Sequence, residues 1–187
     1  MHALSNNKLS LGMPALLLWL LPLAAMAVEV KHAELVPVNG KYLFSADLDY
    51  QLSDRAVAAL QSGVPLFWDI KVLVSQYRSY LWNKEIAGRD IRFRIQYKAL
   101  LNLFQVRNES SSNTYSFSTL GAALNLMSTL RNIYVVDAAA LADDENYFAA
   151  VKVKLDRDAL PLPLRPAAYT NSQWYLASDW YEWPLKK

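Results

Sequence analysis

Cysteine is absent from this 187-residue chain, which removes disulfides, thiolate nucleophiles, iron–sulfur clusters and cysteine-based zinc sites together. Histidine is almost as scarce, with His2 and His32 the whole supply. A zinc site draws three or four ligands mostly from Cys and His, and that number cannot be reached here. A Ser–His–Asp arrangement would have to use His32, which sits two positions before Glu34 in an expected strand and reads more simply as a solvated strand residue. Five glycines leave little room for a phosphate-cradling loop, and neither a Walker sequence nor a nucleophile elbow is present. An excess of one charge is missing too. Nineteen Lys and Arg against seventeen Asp and Glu leave +2, so nothing electrostatic points to nucleic acid. No metal, cofactor or catalytic residue is expected.

Apolar residues, in contrast, make up 53% of the chain, enough for a core and too many for a disordered chain. Residues 1–27 read as a secretory signal peptide. A polar start carrying Lys8 is followed by an uncharged apolar run from Leu9 to Leu23, with Pro22 ahead of the small-residue site Ala25–Met26–Ala27. Cleavage there makes Val28 the new N-terminus. The rival reading is an uncleaved inner-membrane anchor, for which about 20 apolar residues are needed; Leu9 to Val28 nearly supplies them, and membrane contact would then come through this leader alone. Pro14, Pro22 and the Ala-x-Ala motif favour cutting, and no cysteine is present for a lipoprotein anchor. Either way the rest is exported. A thiol-free exported domain must draw its stability from core burial, which suits a bacterial periplasm. The sequon Asn108–Glu109–Ser110 would matter only in a eukaryotic host and reads as chance.

Residues 28–187 read as one domain, mainly β: an antiparallel sandwich or partly open barrel with two short helices. Strand signals come from period-two alternation. Phe44, Ala46, Leu48, Tyr50 and Leu52 share one face; so do Ile91, Phe93, Ile95 and Tyr97, and so do Tyr147, Ala149, Val151, Val153 and Leu155. Leu66–Val74 is apolar on both faces and reads as a central strand covered on both sides. Val28–Val36 and Leu103–Arg107 complete the set, with Asn39–Gly40 a hairpin turn. Ser53 is expected to cap a helix that stops at Ser62, Gly63 and Pro65, with Leu52 and Val57 at staple spacing. A second helix is expected from Ser118 to about Arg131–Asn132, with Leu120, Ala123, Leu124, Met127 and Leu130 along one stripe. Asn108–Asn113 reads as a polar loop, and Leu160–Pro166 as an extended, polyproline-like strap.

Few residues carry chemistry. Asp47 and Asp49 project from one strand face about 7 Å apart, within the range of glycoside-hydrolysing carboxylate pairs. The simpler reading sets them against Arg92, Arg94, Lys152 and Lys154 as cross-strand charge pairs. Asp143–Asp144–Glu145 lacks the spaced ligands of a calcium loop and reads as a solvated turn. Aromatic residues are the most unusual feature: five of the ten residues from Trp174 to Trp183 are aromatic, namely Trp174, Tyr175, Trp180, Tyr181 and Trp183. They form either a contact surface or a closing strand that seals the core. Tyr77, Tyr80 and Trp82, with Arg78 and Lys84, stand at an expected hairpin tip and form a second aromatic group. The candidate interaction surface is therefore Trp174, Trp180, Tyr181, Trp183, Tyr80 and Trp82. The leading expectation is a non-enzymatic binding or accessory module for an envelope protein. The alternatives are a cell-wall glycan binder or hydrolase using Asp47, Asp49 and the terminal tryptophans, and an apolar-ligand binder.

The sequence also resembles a family of exported proteins of Gram-negative bacteria, domain of unknown function 4390. The match rests on Asp49–Tyr50–Gln51–Leu52–Ser53, Ala59–Leu60, Gly63–Val64–Pro65–Leu66, Tyr97 to Leu100, Phe104–Gln105–Val106–Arg107 and Phe117–Ser118–Thr119–Leu120. It ends on Leu160–Pro161–Leu162–Pro163–Leu164–Arg165–Pro166, Ser178–Asp179–Trp180–Tyr181, Trp183 and Pro184. The family has no assigned activity, so no catalytic residue carries over. The resemblance implies an envelope location. Members are often encoded near a membrane sensor kinase of the nitrogen-regulation type, which implies a link to sensor signalling.

Overall fold

Strand alternation governs the architecture of the computed structural model, which describes residues 28–142 and 145–185. The expected leader and the acidic residues Asp143 and Asp144 lie outside that range. Strands β1 (Val28–Val38) and β2 (Lys41–Tyr50) form a hairpin around Asn39 and Gly40, whose φ values of 50° and 76° are both left-handed. That turn matches the natural twist of its strands. In β2 the residues Tyr42, Phe44, Ala46, Leu48 and Tyr50 are all buried. Strand β1 reaches the same core by an irregular route. A register shift between Val30 and His32 leaves Lys31 and His32 both outside, so Val28 and Val30, then Ala33 and Leu35, still point inward.

Helix α1 (Asp54–Gln61) begins where Ser53 Oγ accepts the Ala56 N–H at 3.2 Å. It stops at Gly63, whose φ of 84° is the left-handed conformation that ends a helix. Strands β3 (Leu66–Gln76), β4 (Lys84–Lys98), β5 (Leu103–Asn108) and β6 (Thr114–Phe117) follow as a meander. Then come α2 (Leu120–Ser128), β7 (Thr129–Asp137), β8 (Tyr147–Leu155), α3 (Arg165–Thr170) and β9 (Tyr181–Pro184). Two antiparallel sheets result, one ordered β1-β2-β7 and the other β6-β5-β4-β3-β8-β9. They pack as an open sandwich rather than a closed barrel. Tyr50 meets Trp68 edge to face at 4.9 Å, and Phe44 stacks on Trp183 at 6.3 Å. Helix α2 touches β2, β5, β6 and β7, while α1 rests on β4 and on the turn Ser172–Trp174.

Four expectations need correction. Strands β6 and β7 are absent from the sequence reading, because the alternation of β6 lasts only four residues and β7 has none. Helix α2 ends at Ser128, so Leu130 belongs to β7 and not to the helical stripe; a run rich in Ile and Val finds free hydrogen-bonding groups along β2 and leaves the helix to take them. Leu160–Pro166 is not an extended strap. The Leu164 N–H closes a turn on Pro161 O at 2.9 Å, and a third helix follows with Pro166 in its first turn, where a missing N–H costs nothing. Finally β3 is central but covered on one face only. On its outer face Phe67 lies under the Arg92 guanidinium at 4.9 Å, whereas Asp69 and Lys71 point outward.

Candidate binding surfaces

The two carboxylates on β2 occupy the outer face of the three-stranded sheet. Asp49 pairs with Lys31 of β1 at 2.8 Å, and Asp47 pairs with Arg131 of β7. The bond to Asp49 pushes the Lys31 amine above its ordinary range. The partners expected for them, Arg92, Arg94, Lys152 and Lys154, belong to the other sheet and do not pair with them. Flanking strands supply the opposite charges instead. None of the four hollows described is lined by Asp47 or Asp49. His32 is exposed, 3.8 Å from Glu34.

The C-terminal aromatics divide between core and surface. Trp174 is 3% exposed and belongs to the packed end beneath α1, so it is no part of a contact surface. Trp183 and Tyr181 are half-buried, 5.7 Å apart, with Trp183 against Phe44. Trp180 remains 42% exposed. Tyr175 and Tyr169 are exposed but engaged, gripping the Arg157 guanidinium from 4.2 and 4.7 Å.

The tip of the β3–β4 hairpin is entirely different. Tyr80 is 98% and Trp82 95% exposed, and Tyr77 and Leu81 also stand in solvent. Below them lies a hollow of about 640 Å³, bounded by Tyr77, Asn83, Phe148, Glu182, Trp183 and Leu185. A second groove of about 410 Å³ adjoins it through Trp183 and Pro184 and follows β1 from His32 to Pro37. Val36 and Val38 are exposed beside it. These features share one end of the sandwich. Val28 enters at the other end: it pairs with Tyr50, which touches Trp68. From Trp68 to Gln76, the last residue of β3, the strand rise gives about 27 Å.

The outer face of the six-stranded sheet carries a network of charged side chains. Arg92 bonds Asp69 at 2.9 Å and Asp156 at 2.6 Å. Burial raises the Asp69 carboxyl pKa against the pull of Arg92. Glu109 lies between Arg94 at 3.3 Å and Arg107 at 3.6 Å. Beside this network Asp69, Lys71, Lys152, Lys154 and Trp180 line a hollow of about 200 Å³. Sequence reasoning missed that grouping. Alternation assigns Lys152 and Lys154 to a solvent face, but Lys71 lies in a run that reads as apolar on both sides, and nothing local says that β3 and β8 are neighbours.

Among the described residues no group of three or more His, Asp or Glu could hold a metal ion, and no helix is long and apolar enough to cross a membrane. No curated protein and no solved structure matches the chain. A family model described as "Domain of unknown function (DUF4390)" matches residues 25–184, and the chain belongs to that family.

Proposed function

We propose that this protein is a non-enzymatic binding module of the cell envelope that docks a protein partner through the aromatic end of its sandwich. The observation that carries the reading is the exposure of Tyr77, Tyr80, Leu81 and Trp82 above the 640 Å³ hollow. Folding gains nothing from rings held in water. Binding does, because Trp, Tyr and Arg anchors supply most of the energy of protein interfaces, and Arg78 stands among them.

Three features narrow the mode. Strand β1 is an edge strand, but its register shift near Lys31 and its Pro37 blunt it against strand addition. Side chains filling the hollow and groove are therefore the expected contacts. Asn83, Glu145, Asn146 and Glu182 add polar groups to an otherwise mainly apolar hollow, a mixture that suits the side chains of a protein partner. The tip also lies about 27 Å beyond the end at which Val28 enters. A leader retained as an anchor would tether that opposite end, so the tip would face away from its own bilayer. An exported region of a membrane sensor fits this reading and the implied signalling link. With Asp47 and Asp49 both held in ion pairs, the geometry lends no support to a hydrolase.

The test is crosslinking and capture from intact envelopes, comparing wild type with a Tyr80→Ala/Trp82→Ala double variant. Loss of a specific partner at unchanged thermal stability supports the proposal. Retention of that partner by the double variant overturns it. The Trp180→Ala/Trp183→Ala pair serves as a control, since Trp183 packs on Phe44 and its loss is expected to lower stability.

A further inference from the structure

The geometry points to a second, independent site on the outer face of the six-stranded sheet: a subsite for one acidic sugar unit, a pyranose carrying a carboxylate, held between Trp180 and the amines of Lys71, Lys152 and Lys154. These residues and Asp69 line the hollow of about 200 Å³, well below the 300–1,000 Å³ typical of larger ligands. Its size suits a single ring.

The charges around it are unbalanced. Lys71 of β3 and Lys152 of β8 stand directly opposite one another, a like-charge arrangement that works against the sheet. Lys154 faces Asp69 in the same register, but Asp69 already bonds Arg92 at 2.9 Å. Across the other edge of β3, Lys71 faces Asp90. Among the described residues no carboxylate comes within ion-pair distance of any of the three amines. Lys152 rests instead 5.7 Å from the Trp180 ring centroid. Three ammonium groups thus line a space whose one carboxylate bonds Arg92 and, of the three amines, attracts Lys154, and a bound anion is the partner that relieves the opposed Lys71 and Lys152.

Trp180 decides what kind of anion. Its indole is 42% exposed in the wall of the hollow. A bare phosphate or acetate has no use for a flat apolar face. A sugar ring does: its C–H face can lie on the indole while its carboxylate reaches the lysines. The fold does not depend on these side chains, because the packing residues of both strands, Ile70, Val72, Val151 and Val153, lie on the opposite face. Nothing in this site involves the aromatic tip, so either reading can fail without the other.

The experiment follows indole N–H resonances of the mature protein during titration with glucuronic acid, glucose, acetate and inorganic phosphate, the Trp180 signal being assigned with Trp180→Phe. Glucuronic acid is expected to shift that signal saturably, glucose not at all, and acetate and phosphate far more weakly. Lys71→Gln and Lys152→Gln are each expected to weaken glucuronic acid by about fivefold. Their melting temperatures are expected to stay level or rise, because each variant relieves the opposed pair. The assignment is overturned if glucose matches glucuronic acid, if phosphate matches it, if no saturation is seen, or if both glutamine variants bind as wild type does.

Discussion

Deleting one oxygen atom, Tyr50→Phe, tests the account of the core. Tyr50 closes β2 with its ring edge to face on Trp68, 4.9 Å between centroids. Its hydroxyl is buried with no hydrogen-bond partner among the described residues, and Trp68 Nε1 is in the same condition. Burial pushes the phenol far above its ordinary pKa, so the group stays neutral and no ionised form offsets the loss of water. An unbonded buried polar group costs about 1–3 kcal/mol. Phenylalanine keeps the ring and its contact with Trp68 and discards that penalty. The variant is expected to be more stable by about 1 kcal/mol, a rise of roughly 2–4 °C in Tm for a domain of this size. Urea unfolding followed by circular dichroism measures it, and an unchanged slope shows that only stability has moved. A loss of about 1 kcal/mol or more would refute the reasoning. It would mean that the hydroxyl is bonded after all, through a buried water shared with Trp68 Nε1.

Other perturbations separate core from surface. Trp174→Ala is expected to cost roughly 3–5 kcal/mol in urea unfolding, whereas Trp82→Ala is expected to stay within about 0.5 kcal/mol; equal losses would contradict the division of the aromatics described above. Gly63→Ala places a Cβ no closer than 4.0 Å to its nearest neighbour, the Tyr97 carbonyl oxygen, but at a φ of 84°. Backbone strain alone then predicts a loss of about 1 kcal/mol, and a stabilised variant would refute it. At Asp69 burial comes first, with Asp156 and Asp90 adding to it against Arg92 and Lys154, and the folded state holds its proton to higher pH than the unfolded chain does. The contribution of this group to stability is therefore full below its ordinary value of 3.8 and falls as pH rises past it. Asp69→Asn is expected to remove that fall, so stability curves of variant and wild type that stay parallel from acid to neutral pH would count against it.

Much of this fold could be read before any coordinates. A strand repeats every two residues, so Phe44 to Tyr50, Ile91 to Ile95 and Tyr147 to Leu155 declare by themselves which side meets the core, although the same alternation runs on to Leu52, which lies past the end of β2. Asn39–Gly40, Ser53 and Gly63 mark turns and caps because each solves a local backbone problem with its own side chain, or by lacking one. The family resemblance was legible as well, in short runs such as Gly63–Val64–Pro65–Leu66, and the family model matches residues 25–184. Where a local signal was ambiguous the reading failed. Leu130 fits a helical stripe and a strand equally well, and Pro166 is compatible with both a strap and a first helical turn.

The chain's alternation, caps and turns thus determined a β-rich body and the inward side of its main strands, since these depend on residues a few positions apart. Tertiary structure alone decided which strands became neighbours. It set Lys31 and Arg131 beside Asp49 and Asp47, placed Lys71 opposite Lys152, and took Trp174 inside while leaving Trp82 out. Sheet neighbours are joined by backbone hydrogen bonds that every residue can accept and every residue but proline can donate, so the choice among them comes from packing the whole core at once and leaves no mark on any one segment.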